Sequence, residues 1–139
     1  MILDEIAKLI TDNTTTRVAG TSLFTAFNHP NVQDTATFIY ETQGVGPTRV
    51  FGSSAPAFEN PGIQIIDRSS DYDTARNSAE LIYKILQGQA NVTLLPAAGT
   101  TGTLYLTLEP QQSPFSIGQD DNDRSQISCN YLISKELST

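Results

Sequence analysis

Residues 70–88 constrain the fold more than any other stretch of the chain. Ser70 can cap a helix, Asp71 and Asp73 put negative charge in the first turn where the helix dipole favours it, and Gly88 can close the far end in the left-handed conformation. Over Asp71–Gln87, the residues Tyr72, Ala75, Ala79, Ile82, Tyr83 and Leu86 recur on one face. A helix with one apolar face needs something to cover, and two alanines on that face allow close approach to a sheet.

The flanking segments supply the sheet. Ile63–Arg68 reads as a strand leading into the helix, and Val92 with Leu94 reads as one leaving it. Leu104, Leu106 and Leu108 alternate with Thr103, Tyr105, Thr107 and Glu109, the period-2 pattern of a half-buried strand, joined to the one before it by a turn over Gly99–Gly102. In the last strand Ile127, Cys129, Tyr131 and Ile133 share one face. Near the start, Ile2, Leu3, Ile6, Leu9 and Ile10 give a helix over residues 2–12, with Asp4 four residues before Lys8, and the β-branched Thr14–Thr16 run ends it. Ser22–Phe27 and Thr35–Glu41 read as an antiparallel pair joined by a turn at Asn28–Asn31. Residues 43–60 carry Gly44, Gly46, Pro47, Gly52 and Pro56 and read as a long loop holding Phe51 and Phe58. The expected fold is α+β: a mixed, mainly antiparallel sheet, two helices packed on one face, and a long inter-strand loop.

At 139 residues the chain fits a single domain spanning 1–139. Its eight basic and fifteen acidic side chains give a net charge of -7, and the basic ones are scattered from Lys8 to Lys135. That argues against general affinity for nucleic acid or anionic lipid. No run of about 18 apolar residues occurs and the first residues are amphipathic, so neither a membrane span nor a signal peptide is expected.

Candidate chemistry is sparse. His29 is the only histidine, sits in a turn before Pro30, and has no nucleophile-elbow motif to serve. Cys129, alone and alternating with Ile127 and Tyr131, reads as a small buried hydrophobe. Asp120-Asp121-Asn122-Asp123 is the most metal-like run, but Arg124 stands where a further oxygen ligand is wanted and no distal glutamate follows, so it reads as a solvated turn. Gly99–Thr103 lacks the lysine and following helix of a phosphate cradle. The residues point to no catalytic site, no cofactor and no metal, and to a protein that works by shape and surface contact.

Several segments in order along the chain resemble a bacteriophage family labelled minor capsid protein, whose members look like tail terminators. They are Phe38–Gly44, Pro61–Ile65 with Arg68, Asp71-Tyr72 with Ala75, Ala79–Tyr83 with Leu86 and Gly88, and Pro114–Asn122 with Arg124 and Asn130. The resemblance runs from Ile2 to about Glu136. The chain departs from the family pattern at Gln119, where a basic residue is expected, and at Asp123, where a glycine is expected.

The resemblance implies a phage structural protein of the virion neck, assembled in the host cytoplasm. It would cap the tail tube as a homo-oligomeric ring, a hexamer, stop tube polymerisation, and meet a head-completion or connector protein, with DNA passing through without specific binding. For its contacts with itself or the tube, Arg49, Phe51 and Phe58 in the long loop and Asp120, Asp121 and Arg124 in the acidic turn are the candidates. For Phe51 and Phe58 the alternative is a lid folded on the chain's own core, and for the acidic turn a plain solvated turn. The alternative functions are another neck component or a monomeric small-ligand binding module; an enzyme with an unrecognised site comes last.

Overall fold

A computed structural model describes residues 2–14, 17, 22–25, 33–49, 56–96, 99 and 101–137. The elements are α1 (Ile2–Asp12), β1 (Leu23–Thr25), β2 (Ala36–Arg49), β3 (Pro56–Ser69), α2 (Tyr72–Gln87), β4 (Ala90–Leu94), β5 (Thr103–Pro110), β6 (Phe115–Gln119) and β7 (Ser125–Glu136). The sheet order is β1-β2-β3-β7-β5-β4, with β6 pairing β7 beyond the end of β5. This is the expected α+β mixed sheet with two helices.

Both helices form where their patterns put them. Asn13 N–H bonds Ile10 O at 3.1 Å as α1 ends. Lys8 pairs not with Asp4 but with Asp12, at 2.5 Å. In α2 the cap is Asp71 rather than Ser70: its carboxylate accepts from Thr74 N–H at 3.3 Å and Thr74 Oγ1 at 2.7 Å. Gly88 stays right-handed (φ -80°) because Gln89 N–H closes a tight turn on Leu86 O at 3.1 Å, which satisfies an end carbonyl without a left-handed residue. Ala75, Ala79, Ile82 and Leu86 are buried as expected, whereas Tyr72, at the first helical position, lies exposed.

The helix-covered face of the sheet is the core. Register aligns Ile39 with Ile65, Ile65 with Cys129 and Ile63 with Tyr131, so three strands send apolar side chains to one side. Ile6 and Ile10 of α1 and Ile82 and Leu86 of α2 pack into the same cluster. Full burial of one such side chain contributes roughly 1.5–3 kcal/mol.

Four expectations on the strands are corrected. β1 and β2 are parallel, Leu23 opposite Thr37, a pairing that a tight hairpin turn cannot make. Asn28–Asn31 and His29 lie outside the described residues. In β5 the inward residues are Tyr105 and Leu108 rather than the leucine row, because the β5–β7 register shifts between Tyr105 and Thr107 and a bulge flips the alternation. The segment between β5 and β7 holds a further strand, β6. Residues 43–49 and 56–60 are a two-stranded ribbon continuing β2 and β3.

Candidate functional site

The ribbon follows from its prolines and glycines. Pro47 and Pro61 have no N–H to give to a ladder, and the β2–β3 register shifts between Thr42 and Val45 and between Val45 and Thr48, beside them. Gly44 and Gly62 let the strands close over these irregularities: a Cβ on Gly44 would meet Asn60 O at 2.0 Å, and one on Gly62 would meet Thr42 Oγ1 at 2.4 Å. Asn60 Nδ2 then ties the ribbon by donating to Gly46 O at 2.8 Å and Thr48 Oγ1 at 3.1 Å. Val45 is 60% exposed. Phe58 is half-buried, opposite Thr48 on one side and Glu136 on the other. Arg49 ends β2 opposite Pro56; its side chain and Phe51 lie outside the described residues.

Two grooves flank the ribbon base. One, of about 470 Å³, is walled by Val45, Pro47, Pro61 and Leu137 together with Glu41 and Glu59. Glu59 forms an ion pair with the buried Lys135. The other, of about 420 Å³, is uncharged and runs along Gln43, Gln111, Asn130 and Leu132.

The acidic turn is built differently. Asp120 Oδ1 accepts N–H bonds from Asn122 and Arg124, both at 3.0 Å, and Oδ2 pairs with Arg124 Nε at 2.8 Å. Desolvation opposes ionisation of Asp120, but these hydrogen bonds and the guanidinium outweigh it and hold its pKa below the ordinary carboxylate value. Arg124 also reaches Asp34 at 3.5 Å. Asp123 has φ 59°, a left-handed residue, which is why a glycine suits that position and why aspartate can take it. Asp121 is exposed. Among the described residues no three His, Cys, Asp or Glu side chains converge to hold a metal.

These two sets of residues are not brought together. Phe58 pairs with Glu136 at one end of β7, and Gln119 pairs with Ser125 at the other. Eleven residue steps of strand separate those ends, about 35 Å. The chain therefore carries two unlike exposed elements at opposite ends of β7.

A third constellation was not singled out from sequence. Asp67 is fully buried; Thr37 Oγ1 donates to its Oδ1 at 2.5 Å and Ser78 Oγ at 2.8 Å. Arg17 Nε donates to Thr37 Oγ1 at 2.7 Å and Nη2 to Ser78 Oγ at 2.6 Å, with Nη2 3.9 Å from the carboxylate. Burial pushes the Asp67 pKa up to about 6 against the pull of those hydrogen bonds and of Arg17. The signal was available: Asp67 shares the inward parity of Ile63 and Ile65. On the opposite face, Arg68 lies 4.8 Å over the Phe38 ring and donates to Gln33 O and Asp34 O at 2.7 and 3.2 Å, while Phe38 stacks between Phe24 and Tyr40. Cys129 is buried, its Sγ 3.2 Å from Gln112 O, and burial raises its pKa, so it lies far from thiolate chemistry.

A family model described as bacteriophage tail terminator protein matches residues 11–137. No curated protein matches the chain. Among solved structures, a chain from the virion of a native gene transfer agent (GTA) particle is similar at a TM-score of 0.52 and 15% identity, covering 95% of this chain and 84% of that chain. At that identity the likeness is one of fold.

Proposed function

The chain belongs to the bacteriophage tail terminator family, and from that premise we propose that it caps the tail tube as a ring of its own copies. The ring stops tube polymerisation and offers its other side to the neck proteins of the filled head. The observation that carries this reading is the family match over residues 11–137.

The physical requirements of the role fit the domain. A closed ring with head-to-tail contacts needs two different patches on each subunit, and the ribbon and the β6–β7 turn are two such elements at opposite ends of β7. In this reading the ribbon, with Phe58 on it and the sequence candidates Arg49 and Phe51 at or beyond its described end, meets one neighbour, and the turn with Asp120, Asp121 and Arg124 meets the next subunit or the tube. Because Asp120 and Arg124 are already paired, the exposed Asp121 is the freer charge there. Six subunits, each roughly 35 Å across for a compact chain of this length, enclose a hole about one subunit wide, enough for duplex DNA. A net charge of -7 per copy lets DNA pass without the counterion release that would hold it. None of these steps needs a catalytic residue or a cofactor.

Phage particles lacking this protein test the reading. Tails of uncontrolled length, unattached to heads, are the expected phenotype. Tails of normal length beside heads that leak DNA would assign the chain to head completion instead.

A further inference from the structure

A lysine is buried where the ribbon leaves the body of the sheet. Lys135 of β7 is 2% exposed, and its ammonium pairs with the carboxylate of Glu59, the residue directly across from it on β3. Taking an ammonium out of water is costly, and an apolar side chain of similar size would fill the same space without that cost. What a buried ion pair supplies better than an apolar contact is direction, one partner in one register.

The backbone around the pair needs directing. Pairing between β3 and β7 skips Asn60 and Pro61: Glu59 pairs with Lys135, then Gly62 with Leu132. Pro61 has no N–H to offer there. On the other side of β3, Gly62 pairs with Thr42 and Asn60 with Val45, a register shift at the same level. Both ladders are thus broken at one place. Beyond the break, among the described residues, two pairs join the ribbon to β7, Phe58 with Glu136 and Glu59 with Lys135.

At this level β7 is anchored from its other side. Tyr105 of β5 lies opposite Lys135, and its hydroxyl donates to the buried Glu5 of α1 at 3.0 Å. Glu136 Oε1 accepts the Leu104 N–H at 2.9 Å, and Lys135 Nζ also donates to Glu136 O at 3.2 Å. The ammonium therefore belongs to the fixed body, and the carboxylate rides on the ribbon.

We propose that the Lys135–Glu59 pair is a clamp that positions the ribbon, fixing its direction against the body so that it meets a neighbouring copy in one orientation. The contact with a neighbour rests on the reading of the chain as a ring subunit; the clamp itself does not. The two partners differ in a way that makes the clamp testable. The Glu59 side chain is 37% exposed and can turn to water when its partner is removed, whereas that of Lys135 is 3% exposed. Lys135→Met accordingly removes the cation, keeps most of the packing and strands no charge.

The test follows amide exchange and thermal unfolding of the full chain. Lys135→Met should keep or raise the unfolding midpoint while residues 43–49 and 56–60 exchange about tenfold faster and α2 stays as protected as before. Lys135→Arg, which keeps the charge, should restore the parent pattern. A ribbon as protected in Lys135→Met as in the parent overturns the clamp, and so does faster exchange spread evenly over the sheet with a lower midpoint. Sedimentation velocity then reads the contact: Lys135→Met should self-associate about tenfold more weakly than the parent and Lys135→Arg. A loosened ribbon with unchanged association overturns the positioning role and leaves tube capping standing. A ribbon loosened in Lys135→Met when the parent itself never assembles upholds the clamp and removes the ring.

Discussion

One helix meets the sheet with two chemistries. In its C-terminal half, Ile82 and Leu86 join Ile39, Ile65 and Ile133 and the α1 isoleucines in one apolar cluster. In its N-terminal half, Ala75 and Ala79 pack on Ile127, and Ser78 bonds Asp67 and Arg17, which Thr37 bonds as well. The apolar end is held by area and tolerates any pH. The polar end is held by direction: each of its four side chains bonds another, and the arrangement works at one helix position only. It also pins Arg17 to β2 and α2 through Thr37 and Ser78. Tyr105 shows a milder version of the same device, its hydroxyl donating to the buried Glu5 at 3.0 Å, with burial and the Glu5 charge raising the phenol's pKa.

The largest expected effect lies at the apolar end. Ile39→Ala removes buried methyl groups and leaves a cavity, lowering stability by about 4 kcal/mol in denaturant titrations, equally at pH 5 and pH 8. Arg17→Met attacks the polar end by leaving the Asp67 carboxylate buried without its cation. Here the loss is about 3 kcal/mol at pH 8 and smaller at pH 5, where the carboxyl takes up a proton. Equal losses at both pH values would erase the contrast between the ends.

Parent and Asp67→Asn sharpen it further. The native pKa of about 6 exceeds the ordinary value of 3.8, so the folded chain binds this proton more tightly than the unfolded one. Asp67 therefore favours folding increasingly as pH falls from above 6 to about 4, by roughly 2–3 kcal/mol. Unfolding curves across that window should show a slope in the parent that Asp67→Asn lacks. The smallest effect is at the helix cap: Asp71→Ala removes the bond to Thr74 N–H and costs about 1 kcal/mol, read as a shift in thermal midpoint.

The same contrast explains what the sequence made legible. Elements held by area announce themselves through periodicity, which is why α1, α2 and the Ile127–Ile133 face of β7 are readable from the residues. Elements decided by hydrogen bonds between distant positions are not. Pro47, Pro61 and the glycines of residues 43–60 look like loop chemistry, yet they mark bulges in a ribbon that Asn60 ties across. One register shift beside Tyr105 turns that ring inward and the leucines partly out. The parallel β1–β2 pairing depends on a connection with no pattern of its own. Among the candidate contact residues, the sequence pointed to both exposed elements but not to the full strand length that separates them.

The central claim is that this chain ends a polymer by closing a ring on it. Purified protein added to polymerising tail tube protein, with tubes measured by negative-stain electron microscopy, tests that directly. The account predicts tubes that shorten as the protein is added, each bearing a collar at one end. Tubes of unchanged length with bare ends would contradict it.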